Sequence, residues 1–509
     1  MSSGADQLSD ELQRSLRTLF RGGGLAVAGA VLRRLFGIIS IIIFTTFLGA
    51  GGFGAYMLLF GAVTIMSVIA AMGLAPGTMR FVVQKRAEGR ADQVLGLVRT
   101  ASRLGFASSV VVVLVGWVLA GPIVTQIFHQ PEQVGLLRWM TLAVPASVLC
   151  LLWLHATKGF HRMEETFWVS DFFDPAVRIS LFLLFVLGGI GLLGAAVSAY
   201  IGAAVASAVL ARLALRRLVP PGPVRTEPGE VWALLSFSLP LLGAGAVGMI
   251  MEWTDTMMLG YFTATSQVGV YNVALRVAAL SVMVHLAFTS IFAPISADLL
   301  QRNKMESLDQ LLKIDTRWVF TLTLPIFVLV VLLSRDILVI FGPEFMQGGV
   351  ALMVLTSALF FNACTGSCGA IIRMSGRTRL AFANNCVAGV LNVLLNLLLI
   401  PRLGILGAAL ATGASIVVVN ALRLVQVWWL FKLSPYDRKW VKPVVAGLSG
   451  SLAVAGLQKI APVASPAWNL AVSAGVFSLC YAGLLLLQRL EREDKLMLRL
   501  LRARVFGGA

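Results

Sequence analysis

Apolar residues run along this chain in long unbroken blocks, without the alternation of a half-buried strand or the one-sided stripe of a surface helix. Windows of about twenty residues bounded by charge, glycine or proline pick out about fourteen blocks. They lie near 23–48, 53–75, 101–125, 139–158, 173–190, 193–214, 232–255, 269–293, 316–340, 348–371, 379–400, 405–430, 441–459 and 467–488. A segment of that length with few charges has to satisfy its backbone internally and face lipid or other helices, so it reads as a transmembrane helix. The pattern predicts an all-α, polytopic membrane protein with about fourteen transmembrane helices.

Composition agrees. The 509 residues are 58% hydrophobic and 13% charged, where a soluble domain carries about 25% charged residues, and the mean hydropathy is +0.87. The formal charge of +17 would suit a nucleic-acid partner, but the basic residues fill the gaps between apolar blocks, so no nucleic acid is expected. Of the 41 Lys and Arg residues, 33 fall in alternate gaps counted from the N-terminus. Cytoplasmic loops carry the excess of positive charge, which predicts both termini in the cytoplasm. Five cysteines without a C-x-x-C pair make neither a disulfide framework nor a zinc site, so no metal and no cofactor is expected.

The first block follows a polar leader with no small-residue cleavage site and is expected to stay in the mature protein. In the leader, Leu8, Leu12, Leu16 and Leu19 recur at helical spacing opposite arginines, the pattern of a short helix on a membrane surface or of a solvated tail.

The sequence repeats itself. Leu48 to Tyr56 (LGAGGFGAY) returns as Leu259 to Tyr271 (LGYFTATSQVGVY), Gly191 to Val205 returns as Gly404 to Val418, and the basic element Lys158 to Arg162 returns as Arg373 to Arg377. The separations match the distance from the first block to the seventh, so helices 1–6 and 7–12 read as two six-helix lobes. An even number of crossings per lobe makes them a parallel pseudo-repeat about an axis along the membrane normal, with the seam as the natural substrate path. The expected organisation is a cytoplasmic segment 1–22, an N-lobe 23–214, a Pro-rich cytoplasmic linker 215–230, a C-lobe 231–430, two further helices within 431–488, and a cytoplasmic tail 489–509.

Ionisable side chains inside spans are costly unless they face a partner or water, so they carry the functional signal. Arg33 and Arg34 lie in the first block, about 100° apart around the helix. Arg276 lies on helix 8, with Glu252 on helix 7 at a similar depth and Asp255 one turn further out. One reading makes Glu252 and Arg276 a structural pair and lets Arg33 and Arg34 snorkel. The other has helices 1, 7 and 8 line a cavity in which the three arginines hold an anionic headgroup. Guanidinium suits phosphate because its planar fork makes bidentate, charge-assisted hydrogen bonds and stays protonated. Glu252 or Asp255 would then be counterion or coupling-cation ligand, and the residues alone do not choose.

Other polar residues read as structural. Asn384, Asn385, Asn392 and Asn396 on helix 11 fit interhelical hydrogen bonds better than sugar contacts. Asp171 and Asp174 sit where a helix start favours carboxylates. His155 and His285 are lone imidazoles, and Cys364 and Cys368 read as packing residues. Gly243, Gly245 and Gly248 suit close helix packing, and Trp139, Trp168, Trp232, Trp318, Trp440 and Trp468 suit interfacial belts. There is no G-x-x-x-x-G-K-[ST] loop, and no long outer loop carries the paired carboxylates that a membrane glycosyltransferase would need. No catalytic residue is assigned and an enzyme is not expected.

With its two lobes, two extra helices, the opening pattern from Leu32 to Val83, the VGVYNVALRVAAL block and the GILGAALAT block, the chain resembles the polysaccharide or O-antigen flippases (Wzx-type) of the multidrug/oligosaccharidyl-lipid/polysaccharide exporter superfamily. The resemblance covers nearly the whole chain. It implies an inner-membrane transporter that moves undecaprenyl-diphosphate-linked oligosaccharide units between leaflets by lobe rocking. Its partners are then the lipid-linked oligosaccharide and membrane lipids, with a coupling cation (proton or sodium) and a polysaccharide polymerase and chain-length regulator left open. Cationic cavity residues are a feature of that family, and Arg33, Arg34 and Arg276 lie on the corresponding helices. The lipid II flippases of the superfamily carry an acidic and arginine-rich segment after helix 1 where this chain has the uncharged GAGGFGAY, which makes lipid II the weaker candidate. A cation-coupled exporter of small organic molecules is the alternative on the same scaffold.

Overall fold

The computed structural model describes the backbone of residues 2–160, 162, 164–219, 229–460 and 465–488. Side chains are described from Leu35 onward, except at 91, 244, 246, 247, 250, 251, 438 and 467. The described chain is helical throughout, with no strand among the described residues. Its helices are α1 (Ser2–Ala71), α2 (Leu74–Ala87), α3 (Val94–Pro122), α4 (Val134–Thr141), α5 (Ala143–Gly159), α6 (Glu164–Thr166), α7 (Asp174–Leu187), α8 (Leu192–Leu218), α9 (Glu230–Phe262) and α10 (Thr265–Ala278). They continue as α11 (Val282–Gln301), α12 (Met305–Leu332), α13 (Ser334–Val339), α14 (Gly349–Cys364), α15 (Cys368–Met374), α16 (Thr378–Leu403), α17 (Ile405–Phe431), α18 (Val441–Ile460) and α19 (Pro466–Leu487).

Among the described residues, eleven helical stretches are long and apolar enough to cross a membrane, and the protein is a polytopic all-α membrane protein. The first stretch, Leu35–Ala87, takes in the first two expected spans, which are parted by Gly49 at φ 64° and ψ −177°. Only glycine adopts such a backbone without strain, and it breaks α1 where the sequence places a turn. The expected fifth and seventh spans fall on α7, 14 residues long, and on α9.

Helix α8 begins at Leu192 and α17 at Ile405, each 27 residues long and each preceded by a glycine. Helices α3 and α12 begin at Val94 and Met305 with 29 and 28 residues. The similar blocks that begin at Gly191 and Gly404 thus open helices of equal length.

The chain divides into two compact units. One comprises residues 32–272 and 396–408, the other 1–31, 273–395 and 409–509. In the first, α2 is fastened to the start of α9. Lys85 is buried against Glu230 at 3.0 Å and donates to Gln93 at 2.9 Å, the Arg80 guanidinium lies 4.1 Å from the Phe237 ring centroid, and a Cβ on Gly77 would strike Ser238 Oγ. In the second, Phe320, Leu324, Ala446, Val454, Phe477 and Tyr481 form a core joining α12 to α18 and α19.

Some expectations about packing need correction. Among the described residues, nothing lies within 4 Å of a Cβ added to Gly243, Gly245 or Gly248, so no close helix contact is seen at them there. Trp139, Trp168, Trp232 and Trp468 are exposed, as belt residues should be, but Trp318 is buried and Trp440 packs on Phe320 with ring centroids 4.4 Å apart.

Candidate functional site

Within the first unit, Asp255 is the most enclosed of the carboxylates singled out from the sequence. It lies on α9, two turns before the hairpin into α10, and is 5% exposed. The Tyr271 hydroxyl donates to its Oδ2 at 2.6 Å, and Asn396 Nδ2 donates to its Oδ1 at 2.6 Å. One residue on, Thr256 and Asn272 hydrogen-bond across the same helix pair at 3.2 Å, with Asn272 also donating to the Val268 carbonyl at 3.0 Å. A carboxylate inside a membrane protein persists only with such donors, because an unsatisfied charge in that surrounding costs several kcal/mol. The arrangement joins α9, α10 and the end of α16 through one anionic centre.

Glu252, one turn earlier on α9, is exposed, as is Arg276 on α10. Burial therefore separates the two acidic candidates: Asp255 is held by protein and Glu252 is open. The side chains of Arg33 and Arg34 lie outside the described residues, as do His161, most of the Pro-rich linker and the basic tail.

A second polar centre of the first unit escaped the sequence reading. Arg178 and Asp174 form an i,i+4 ion pair on α7 at 2.5 Å, each side chain 22% exposed. Ser207 on α8 lies 3.3 Å from Asp174 Oδ1. The guanidinium lies 5.0 Å from the Tyr200 ring and 5.7 Å from that of Phe60, inside an aromatic group that continues through Tyr56 and Trp253. Exposed Ser180, Leu184 and Leu187 mark the outer face of α7, and Arg178 lies on the other side. Asp174 therefore does not cap a helix start. The helix begins earlier, at Glu164, and passes through a stretch of wide π-helical turns, Phe167–Phe173, before α7. The available signal was the D-x-x-x-R spacing at the start of the fifth apolar block.

In the second unit the asparagines of α16 behave as interhelical donors. Asn384 and Gln426 exchange amide hydrogen bonds at 2.7 and 2.8 Å, Asn392 donates to Thr412 at 3.0 Å, and Asn385 accepts from Arg423 at 3.2 Å. Buried Asp315 on α12 accepts from the hydroxyl and backbone N–H of Ser367, in the break between α14 and α15 where Gly366 takes φ 57°.

Comparison with known proteins places this geometry in context. A family model described as polysaccharide biosynthesis protein matches residues 19–300, and the MatE model matches residues 240–398. The probable flippase AglR of Haloferax volcanii is 32% identical over 179 residues, which is 34% of this chain and 37% of that protein. The probable low-salt glycan biosynthesis flippase Agl15 of the same organism is 26% identical over 191 residues, 37% of this chain and 40% of that protein. The matches thus span well under half the length of these relatives. Among solved structures, the lipid II flippase MurJ in an inward closed conformation superposes with TM-score 0.72 at 12% identity, covering 91% of this chain and 98% of that one. An inward-facing MATE family multidrug resistance transporter gives TM-score 0.65 at 13% identity over 79% and 98%. At such identities these two share the fold.

Proposed function

The chain belongs to the polysaccharide biosynthesis protein family, and from that premise we propose that it flips an undecaprenyl-diphosphate-linked oligosaccharide repeat unit across the cytoplasmic membrane, for O-antigen, capsule or exopolysaccharide, by alternating access. The observation that carries the reading is the family match over residues 19–300, supported by two relatives described as probable flippases. Both termini lie in the cytoplasm in this reading, on the strength of the Lys and Arg asymmetry.

The substrate's diphosphate needs cationic partners that stay charged in a low-dielectric surround, which arginine supplies. Arg33, Arg34 and Arg276 are the assigned contacts. Of the acidic candidates, Asp255 suits coupling better than Glu252, since a proton or sodium ion at a buried carboxylate changes the charge that Tyr271 and Asn396 stabilise. Neutralising it weakens both hydrogen bonds and loosens α10 and the end of α16 from α9, a local change of the kind alternating access requires. Glu252, being open, is left as a counterion.

Deleting the gene and locating the lipid-linked units tests the reading. Units trapped on the cytoplasmic leaflet are expected, and unchanged surface glycan would overturn it. The MatE match over residues 240–398 favours a second reading, a cation-coupled exporter of small molecules. That reading predicts altered dye or drug tolerance with the glycan intact.

A further inference from the structure

Two arginines of the second unit converge where no carboxylate meets them. A Cβ built on Gly369 of α15 would lie 3.5 Å from Arg373 Nη1 and 3.5 Å from Arg423 Cδ, with Arg423 Nε at 3.6 Å, so both side chains cross the same bare stretch of backbone. Arg423 donates to Asn385 Oδ1 and to Asn420 Oδ1, each at 3.2 Å. Neither Arg373 nor Arg423 has an ion-pair partner among the described residues. His285 on α11 lies within electrostatic reach of both.

The helices say what these groups face. On α17 the exposed residues Ala414, Val418, Val425 and Trp428 form one line, and at about 100° per residue Arg423 points opposite to it. On α16 the exposed apolar line is Val387, Val390, Leu394 and Leu397. Asn385 lies on the far side of that helix, yet it too is exposed. An exposed amide turned away from the outward apolar line leaves open space beside Arg423. Two guanidinium groups beside such a space, Arg423 bonded only to neutral amides, retain donors and positive charge for an anion, and their planar forks fit phosphate oxygens.

We infer that Arg373 and Arg423, set over Gly369 and flanked by Asn385, form an anion site for a phosphate or diphosphate group on the side of the second unit where α15 meets α16. The charge pattern assigns that side to the cytoplasm. The inference rests on the flippase reading only for the source of the anion, which is a substrate headgroup, an anionic phospholipid or free phosphate.

The test is calorimetric titration of inorganic pyrophosphate into the full-length protein in phosphatidylcholine nanodiscs. The wild type is expected to bind, Arg423→Gln and Arg373→Gln to weaken binding by about tenfold or more each, and Arg423→Lys to keep part of the affinity. Arg302→Gln, which removes an exposed pair with Asp298, is expected to bind as the wild type does, and unaltered melting without pyrophosphate verifies that each variant is folded. Discs doped with undecaprenyl phosphate or with phosphatidylglycerol distinguish the sources: competition by the first alone names the substrate headgroup, competition by both names lipid phosphate in general, and competition by neither names free phosphate. No pyrophosphate binding by the wild type, or wild-type affinity in both glutamine variants, overturns the site. Because binding is read on purified protein, this outcome is independent of whether cells export a glycan.

Discussion

Gly54 and Gly269 meet backbone to backbone, each filling the space that a side chain on the other would need. A Cβ on Gly54 would strike the Thr265 carbonyl and the Gly269 nitrogen, and a Cβ on Gly269 would strike the Ala50 carbonyl and the Gly54 nitrogen. The contact is reciprocal, and its two sides are the equivalent blocks GFGAY and QVGVY of the repeat.

Gly54→Ala and Gly269→Ala should each destabilise the protein by about 1–3 kcal/mol through overpacking against rigid backbone. Because both changes press on one contact, the double variant should lose less than the sum. Thermal unfolding in detergent measures this, and strict additivity would argue against the close approach.

Asp255→Asn keeps shape and removes charge. It should leave expression near wild type while abolishing gradient-dependent export, read as glycan transport into vesicles with and without an imposed ion gradient. Tyr271→Phe removes a hydrogen bond to a charged group, about 1.5–3 kcal/mol of local stability, and should slow export without abolishing it. Full gradient dependence in Asp255→Asn would remove the residue from the coupling scheme.

Arg178→Ala should be the most damaging single change on α7, since it leaves the half-buried Asp174 without its cation, a loss of about 1–3 kcal/mol. The pair replacement Asp174→Asn with Arg178→Gln should recover most of the lost melting temperature. If it restores stability but not export, the pair has a role in transport; if both return, its role is structural.

Arg276→Ala should abolish export at normal protein level, and Arg276→Lys should restore it only partly, because a point charge does not reproduce the guanidinium fork. Wild-type export by Arg276→Ala would withdraw it from the phosphate contacts.

How much of this could be read beforehand varied with the range of the interaction. The polytopic helical class and the break at Gly49 rest on local hydropathy and on glycine chemistry, and they were legible. The interhelical role of Asn384, Asn392 and Asn396 followed from the rule that amides in lipid seek one another. The choice between Glu252 and Asp255 did not follow, because the donors that enclose Asp255 lie 16 and 141 residues away. The Asp174–Arg178 pair was local yet hidden, since Asp174 read as a carboxylate favoured by a helix start and Arg178 was not singled out. Arg423 was likewise invisible as a site: its meaning depends on Arg373 and Gly369, which another helix brings beneath it.

The wide-turn stretch at Phe167–Phe173 has a consequence for everything downstream on its helix. A single widened turn carries one residue more than an ordinary turn, so it resets the angular phase of the residues that follow. Trp168 is thereby left facing outward while Asp174 and Arg178 are delivered to the inside. Deleting one residue there would regularise the spiral and swing Asp174 and Arg178 together by about 100° around the helix, so a shortening upstream would carry the intact pair away from Ser207, Tyr200 and Phe60.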